Sequence, residues 1–96
     1  MQDLADFRKE IDRLDYEILR SVVARLRLCE EIAILKRDSG VPMMQPERVA
    51  EVKNSRAASG EKLGVDPAFT IRLFETIIAE ACRIEDRLMA AEEPRK

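Results

Sequence analysis

Two cations stand where the chain's own pattern asks for apolar side chains. The row Val22, Arg25, Cys29, Ile32, Lys36 follows the three-and-four spacing of one helix face, and Arg25 and Lys36 interrupt it. At ~100° per residue the two share that face, roughly 16 Å apart along the axis. Side chains as long as arginine and lysine can converge from those positions on one small ligand. A carboxyl follows the same logic, because Glu85 sits in the row Phe74, Ile78, Ala81, Glu85, Leu88. Inward cations facing an inward carboxyl can clamp a small anion and act on it electrostatically. They can equally form an ion-pair network that fixes helix register, or lay their stems along apolar surface and reach for water. Spacing alone leaves these readings open.

What the sequence lacks narrows the chemistry. There is no histidine, which removes Ser-His and Cys-His nucleophilic catalysis and any side chain whose ordinary pKa is near neutrality. The two cysteines, Cys29 and Cys82, form no C-x-x-C pattern, so neither a zinc site nor a disulfide framework is expected, and they read as reduced, buried thiols. No metal and no cofactor are expected. A net charge of −2 offers no basic field for nucleic acid or an anionic membrane. Any anion site must therefore be local. The N-terminal MQDLADFRKE carries charges where a signal peptide needs an apolar segment, and no run approaches the ~20 apolar residues of a membrane span. A cytoplasmic location is expected.

Three helices must hold these groups. With 46% hydrophobic and 38% charged residues but only three glycines and four prolines, the composition favours an all-α fold. Leu4, Phe7, Ile11, Leu14, Ile18, Val22, Leu26, Cys29 and Ala33 recur three and four apart with no glycine or proline before Gly40. One very long helix from about Asp3 to Arg37 is predicted, ~50 Å at ~1.5 Å per residue. The rest of so short a chain cannot cover it, and a partner chain is implied. Asp38 to Pro42 ends the pattern. A second helix is predicted from Pro46, with Glu47 in its first turn, to about Ser59. A turn over Gly60–Gly64 leads to Asp66-Pro67, a cap-and-proline start. The third helix then carries Phe69, Leu73, Phe74, Ile77, Ile78, Ala81, Ile84 and Leu88 to roughly Ala91. Residues 1–96 read as one domain. Met43 and Met44 fit either core or a pocket wall, and Arg83, Asp86 and Arg87 read as solvated surface.

Arg8-x-x-Ile11-Asp12-x-x-Asp15, Arg25, Lys36, Pro42, Pro46-Glu47-Arg48 and Leu73-Phe74-x-x-Ile77-Ile78 together resemble the all-helical chorismate mutases over nearly the whole chain. The segments GVPMMQPERV (Gly40 to Val49) and ACRIED (Ala81 to Asp86) are closest to the members of that family that rearrange 4-amino-4-deoxychorismate, while the PERV portion also resembles isochorismate-pyruvate lyases of the same fold. The resemblance implies an intertwined homodimer whose sites take a small dianion without metal or cofactor. In it Arg8 matches the arginine supplied by the partner chain, and Arg25 and Lys36 match same-chain substrate ligands. Geometry agrees that Arg8 and Arg25 cannot clasp one small molecule within a single continuous helix, being roughly 25 Å apart along the axis and ~100° around it. The resemblance further places Gln45, Arg48, Val49 and Ala81 at the substrate, and Glu85 at the position of a second donor to the ether oxygen, a role it can fill only when protonated. Three positions depart from the usual pattern: Gln45 where aspartate is common, Val49 where a glutamate meets the ring hydroxyl, and Glu85 where glutamine is frequent. These departures speak against ordinary recognition of the ring substituent, without themselves explaining a preference for a 4-ammonium group. A non-catalytic helical dimer is the contrasting class.

Overall fold

The structure, a computed structural model, describes residues 2–40 and 45–91. Three helices follow one another: α1 (Leu4–Ser39), α2 (Pro46–Lys62) and α3 (Pro67–Ala91). Each starts where the local chemistry provides for unpaired N–H groups. Asp3 caps α1 by accepting from the Asp6 N–H at 3.0 Å, while Asp6 accepts from the Asp3 N–H at 3.3 Å; this reciprocal pair satisfies two orphan donors. Pro46 opens α2 without giving up a needed donor, and the Gln45 carbonyl accepts from both Arg48 and Val49. At α3 the Asp66 carboxylate accepts from the Ala68 N–H at 3.4 Å, and Pro67 follows at the first helical position. Gly40 ends α1 in the left-handed conformation at φ 74°, with Lys36 and Arg37 in the last turn where cations suit the helix dipole.

Two boundaries differ from the sequence reading. Helix α1 runs two residues past Arg37, to Ser39, and α2 runs three past Ser59, to Lys62. The second difference has a packing cause. Gly60 is helical, and a Cβ there would lie 2.8 Å from Oγ1 of Thr70 on α3. It is a close-approach glycine and not a stop; the turn is made by Leu63 and by Gly64 at φ 88°. Gly60→Ala should therefore destabilise the fold by about 1–3 kcal/mol through overpacking, outweighing the ~1 kcal/mol that alanine gains in helix propensity. Thr70 is buried and β-branched, so it cannot swing aside cheaply. Urea denaturation of Gly60→Ala beside Gly60→Ala/Thr70→Ala checks this, and the second change should recover most of the loss.

Helix α3 packs against both α1 and α2. Among the described residues the buried hydrophobics are small or medium: Ala33, Val52, Ala57 and Ala81. The long apolar row at the start of α1 is left open, with Leu4, Phe7, Ile11, Leu14 and Ile18 all between 47% and 62% exposed. At 36 residues α1 is about 54 Å long, and one chain's α2 and α3 cover only part of it. No helix among the described residues is long and apolar enough to cross a membrane.

Candidate active site

The three helices meet around a cavity of about 370 Å³, a volume suited to a small organic ligand. Helix α1 contributes Arg25, Cys29, Ile32 and Lys36; Gln45 and the first two turns of α2 contribute Arg48, Val49 and Val52; α3 contributes Ile78, Ala81, Cys82 and Glu85. Helical spacing produces each row, since side chains three, four and seven apart fall on one face. Three cations and one carboxyl thus look into a space whose remaining walls are largely apolar. Such a site is positive and partly dry, which strengthens any attraction for an anion.

Arg25 is held from behind. Its guanidinium lies 6.0 Å from the centre of the Phe74 ring, and its Nη1 donates toward the Cys29 Sγ at 3.8 Å. Among the described residues no carboxylate stands within ion-pair distance of it, so the reading of Arg25, Lys36 and Glu85 as a closed register-fixing network does not describe Arg25. Its fork faces the cavity with charge to spare for a ligand. Lys36 is half-buried, and its charge is felt by Glu85 on the facing helix. Burial pushes the Glu85 carboxyl above the usual carboxylate range and the neighbouring Asp86 adds to this, while Lys36 acts in the opposite sense. The direction favours the protonated form, in which a carboxyl can donate a hydrogen bond. Arg48 is exposed and pairs with Glu51 on its own helix, an exposed pair that a substrate carboxylate can replace at small cost.

Gln45 stands at the N-cap of α2 without using its side chain to cap the helix, leaving the amide available to the cavity. Of the positions singled out in the sequence, Arg25, Lys36, Gln45, Arg48, Val49, Ala81 and Glu85 all line this space. Arg8 does not: it is exposed on α1, far up the helix from Arg25. Met43 and Met44 lie outside the described residues. Arg83 pairs with Glu80 at the surface, as expected of a solvated residue. Spacing alone does not mark Ile32, Val52 and Ile78 as lining residues, and the expectation of buried thiols is corrected, since Cys29 and Cys82 are half-buried and face the cavity. The signal was present: Cys29 and Ile32 fall between Arg25 and Lys36 on the very stripe that made those cations conspicuous.

The chain belongs to the chorismate mutase type II family, whose model matches residues 7–86. It is 42% identical over 90 residues to the 4-amino-4-deoxychorismate mutase of Streptomyces venezuelae, covering 94% of this chain and 87% of that protein. It is 43% identical over 84 residues to the 4-amino-4-deoxychorismate mutase of Streptomyces pristinaespiralis, covering 88% of this chain but 65% of that protein, just under two thirds of its length. The isochorismate pyruvate lyase of Pseudomonas aeruginosa is 36% identical over 76 residues, 78% of this chain and 73% of the lyase. No solved structure matches the chain.

Proposed function

We propose that the chain is a 4-amino-4-deoxychorismate mutase, rearranging its substrate to 4-amino-4-deoxyprephenate on a route to 4-aminophenylalanine-type building blocks. The similarity to two proteins of that name carries the choice of the amino compound, and the cavity, in which Arg25 and Lys36 face Glu85 across a gap of small-ligand size, supports the chemistry. In the rearrangement an ether C–O bond breaks as a C–C bond forms within one molecule. Neither a nucleophile nor an obligatory proton transfer is needed, so the missing histidine is no handicap. What the protein must supply is a compact substrate conformation and a partner for the negative charge that grows on the ether oxygen. Arg25 holds one carboxylate by its planar fork. Lys36 and protonated Glu85 meet the ether oxygen. Gln45, Arg48, Val49 and Ala81 shape the rest of the pocket, although nothing in the structure explains why an amino group would be preferred at the ring.

Arg48 already lines the cavity, and for the second carboxylate we assign in addition Arg8 of a second copy in an intertwined homodimer, the position that the family resemblance gives to an arginine from the partner chain. The open apolar row from Leu4 to Ile18 supports this, because covering side chains that are already half-buried adds roughly half of the ~1.5–3 kcal/mol that full burial of a large apolar side chain contributes. The arrangement has a quantitative consequence. Arg8→Ala and Arg25→Ala should each be nearly inactive, yet an equimolar mixture, dissociated and reassembled, should regain about a quarter of wild-type activity, because half the dimers are mixed and each mixed dimer has one intact site of two. No recovery would mean that Arg8 serves its own chain's site or none.

A second reading is pyruvate elimination from isochorismate, which the similarity to the Pseudomonas aeruginosa lyase favours. Mass spectrometry of the product separates the two. Rearrangement leaves an isomer with the mass of the substrate, and elimination releases pyruvate.

A further inference from the structure

Cys29 and Cys82 belong to the cavity but to no step of the rearrangement. Cys29 lies within the α1 row between Arg25 and Lys36, and Cys82 within the α3 row between Ile78 and Glu85, so the thiols address one space from two walls. Both are free and half-buried. Helices α1 and α3 pack directly on each other, and the buried Ala33 and Ala81 near the thiols keep that approach close. A disulfide spans a Cα separation of ~4.4–6.8 Å, so a cross-link between these walls requires the packed α1 and α3 to bring Cys29 and Cys82 into that range. The two sulfurs differ in surroundings. Burial raises the Cys82 thiol above its ordinary value, with Glu85, Asp86 and the nearby Cys29 adding and Lys36 opposing. Cys29 instead accepts an N–H from Arg25 at 3.8 Å.

We propose that Cys29 and Cys82 form a dithiol modification site, which low-molecular-weight disulfides oxidise to an internal α1–α3 cross-link that closes the substrate cavity. Cys29 attacks a disulfide R–S–S–R, displacing one R–SH and forming a mixed disulfide. Cys82 then attacks the Cys29 sulfur, releasing the second R–SH and leaving Cys29 joined to Cys82. Two protein thiols are oxidised and one external disulfide is reduced. The new bond occupies the space between the cavity walls and takes up the sulfur against which Arg25 rests. Substrate and cross-link therefore exclude each other. The cross-link rests on the placement of the two thiols in one cavity, whereas the loss of catalysis rests on the function proposed above.

The test is to incubate the wild-type protein with glutathione disulfide and follow intact mass without reductant beside the rate of rearrangement. The expected result is loss of two hydrogens with no glutathione retained, activity falling in proportion to the cross-linked fraction, recovery with dithiothreitol, and slower cross-linking when the cavity is saturated with chorismate. Cys82→Ser should instead keep one glutathione on Cys29, and Cys29→Ser should form no cross-link. A wild-type protein that stays fully reduced, retains glutathione without closing, links chain to chain, or cross-links with its activity intact overturns the proposal. Absence of any rearrangement before oxidant is added counts against the proposed function, and the mass measurement still decides the cross-link.

Discussion

Lys36→Met is expected to lower kcat by about 100- to 1,000-fold while changing KM far less, the loss associated with removing one preorganised donor to a developing oxyanion. Lys36 faces Glu85 across the cavity, so in the proposed reaction its ammonium and the carboxyl in its protonated form would approach one oxygen from two sides. In the bound substrate that oxygen is an ether with little charge, and in the transition state it carries much of what the broken bond leaves behind. An interaction stronger in the transition state than in the ground state appears in kcat. Arg25 differs, because a carboxylate is fully charged before, during and after the reaction. Arg25→Ala should raise KM as well as lower kcat, and Arg25→Lys should recover little, since an ammonium cannot reproduce the bidentate fork. Steady-state kinetics of the three variants check the split. A Lys36→Met protein with near-normal kcat would remove the residue from the chemistry.

The second large effect is on pH dependence, and it turns on Glu85. Its carboxyl is raised above the usual range chiefly by burial, and a bound dianion would raise it further by adding like charge. The sign follows directly. The protonated form is the donor, so activity should be full at low pH and fall as pH rises through the raised pKa, approaching tenfold per pH unit above it. The same direction holds for stability: an acid whose folded-state pKa is raised favours the folded chain below its unfolded pKa, and that contribution is lost as pH rises through the folded value. Glu85→Gln carries a permanent N–H donor and should flatten the high-pH limb. Measuring kcat for both proteins across the acid-to-neutral range is sufficient. Superimposable profiles would mean that Glu85 does not act through its proton.

Several of these features were legible in the sequence because they break a pattern. Arg25 and Lys36 stood out as cations in an apolar stripe, and both reach the cavity. Asp66-Pro67 marked the start of α3 because its cap chemistry is local. Gly60 misled for the opposite reason: its role is set by Thr70 on another helix, and contact between elements leaves no mark on local spacing. The thiols were misjudged similarly, since a cysteine on an apolar face reads alike whether it meets core or cavity. Arg8 does not line the cavity of its own chain, and its role rests on the dimer proposed above.

The central claim is that this cavity rearranges 4-amino-4-deoxychorismate, and the most direct measurement is kcat/KM of the purified protein on that compound, on chorismate and on isochorismate, with each product identified. The account predicts the highest value for the amino compound, with an isomeric product and no pyruvate. A higher value for chorismate would move the assignment to an ordinary chorismate mutase, and pyruvate from isochorismate as the leading reaction would contradict the proposed chemistry while leaving the cation-lined cavity in place.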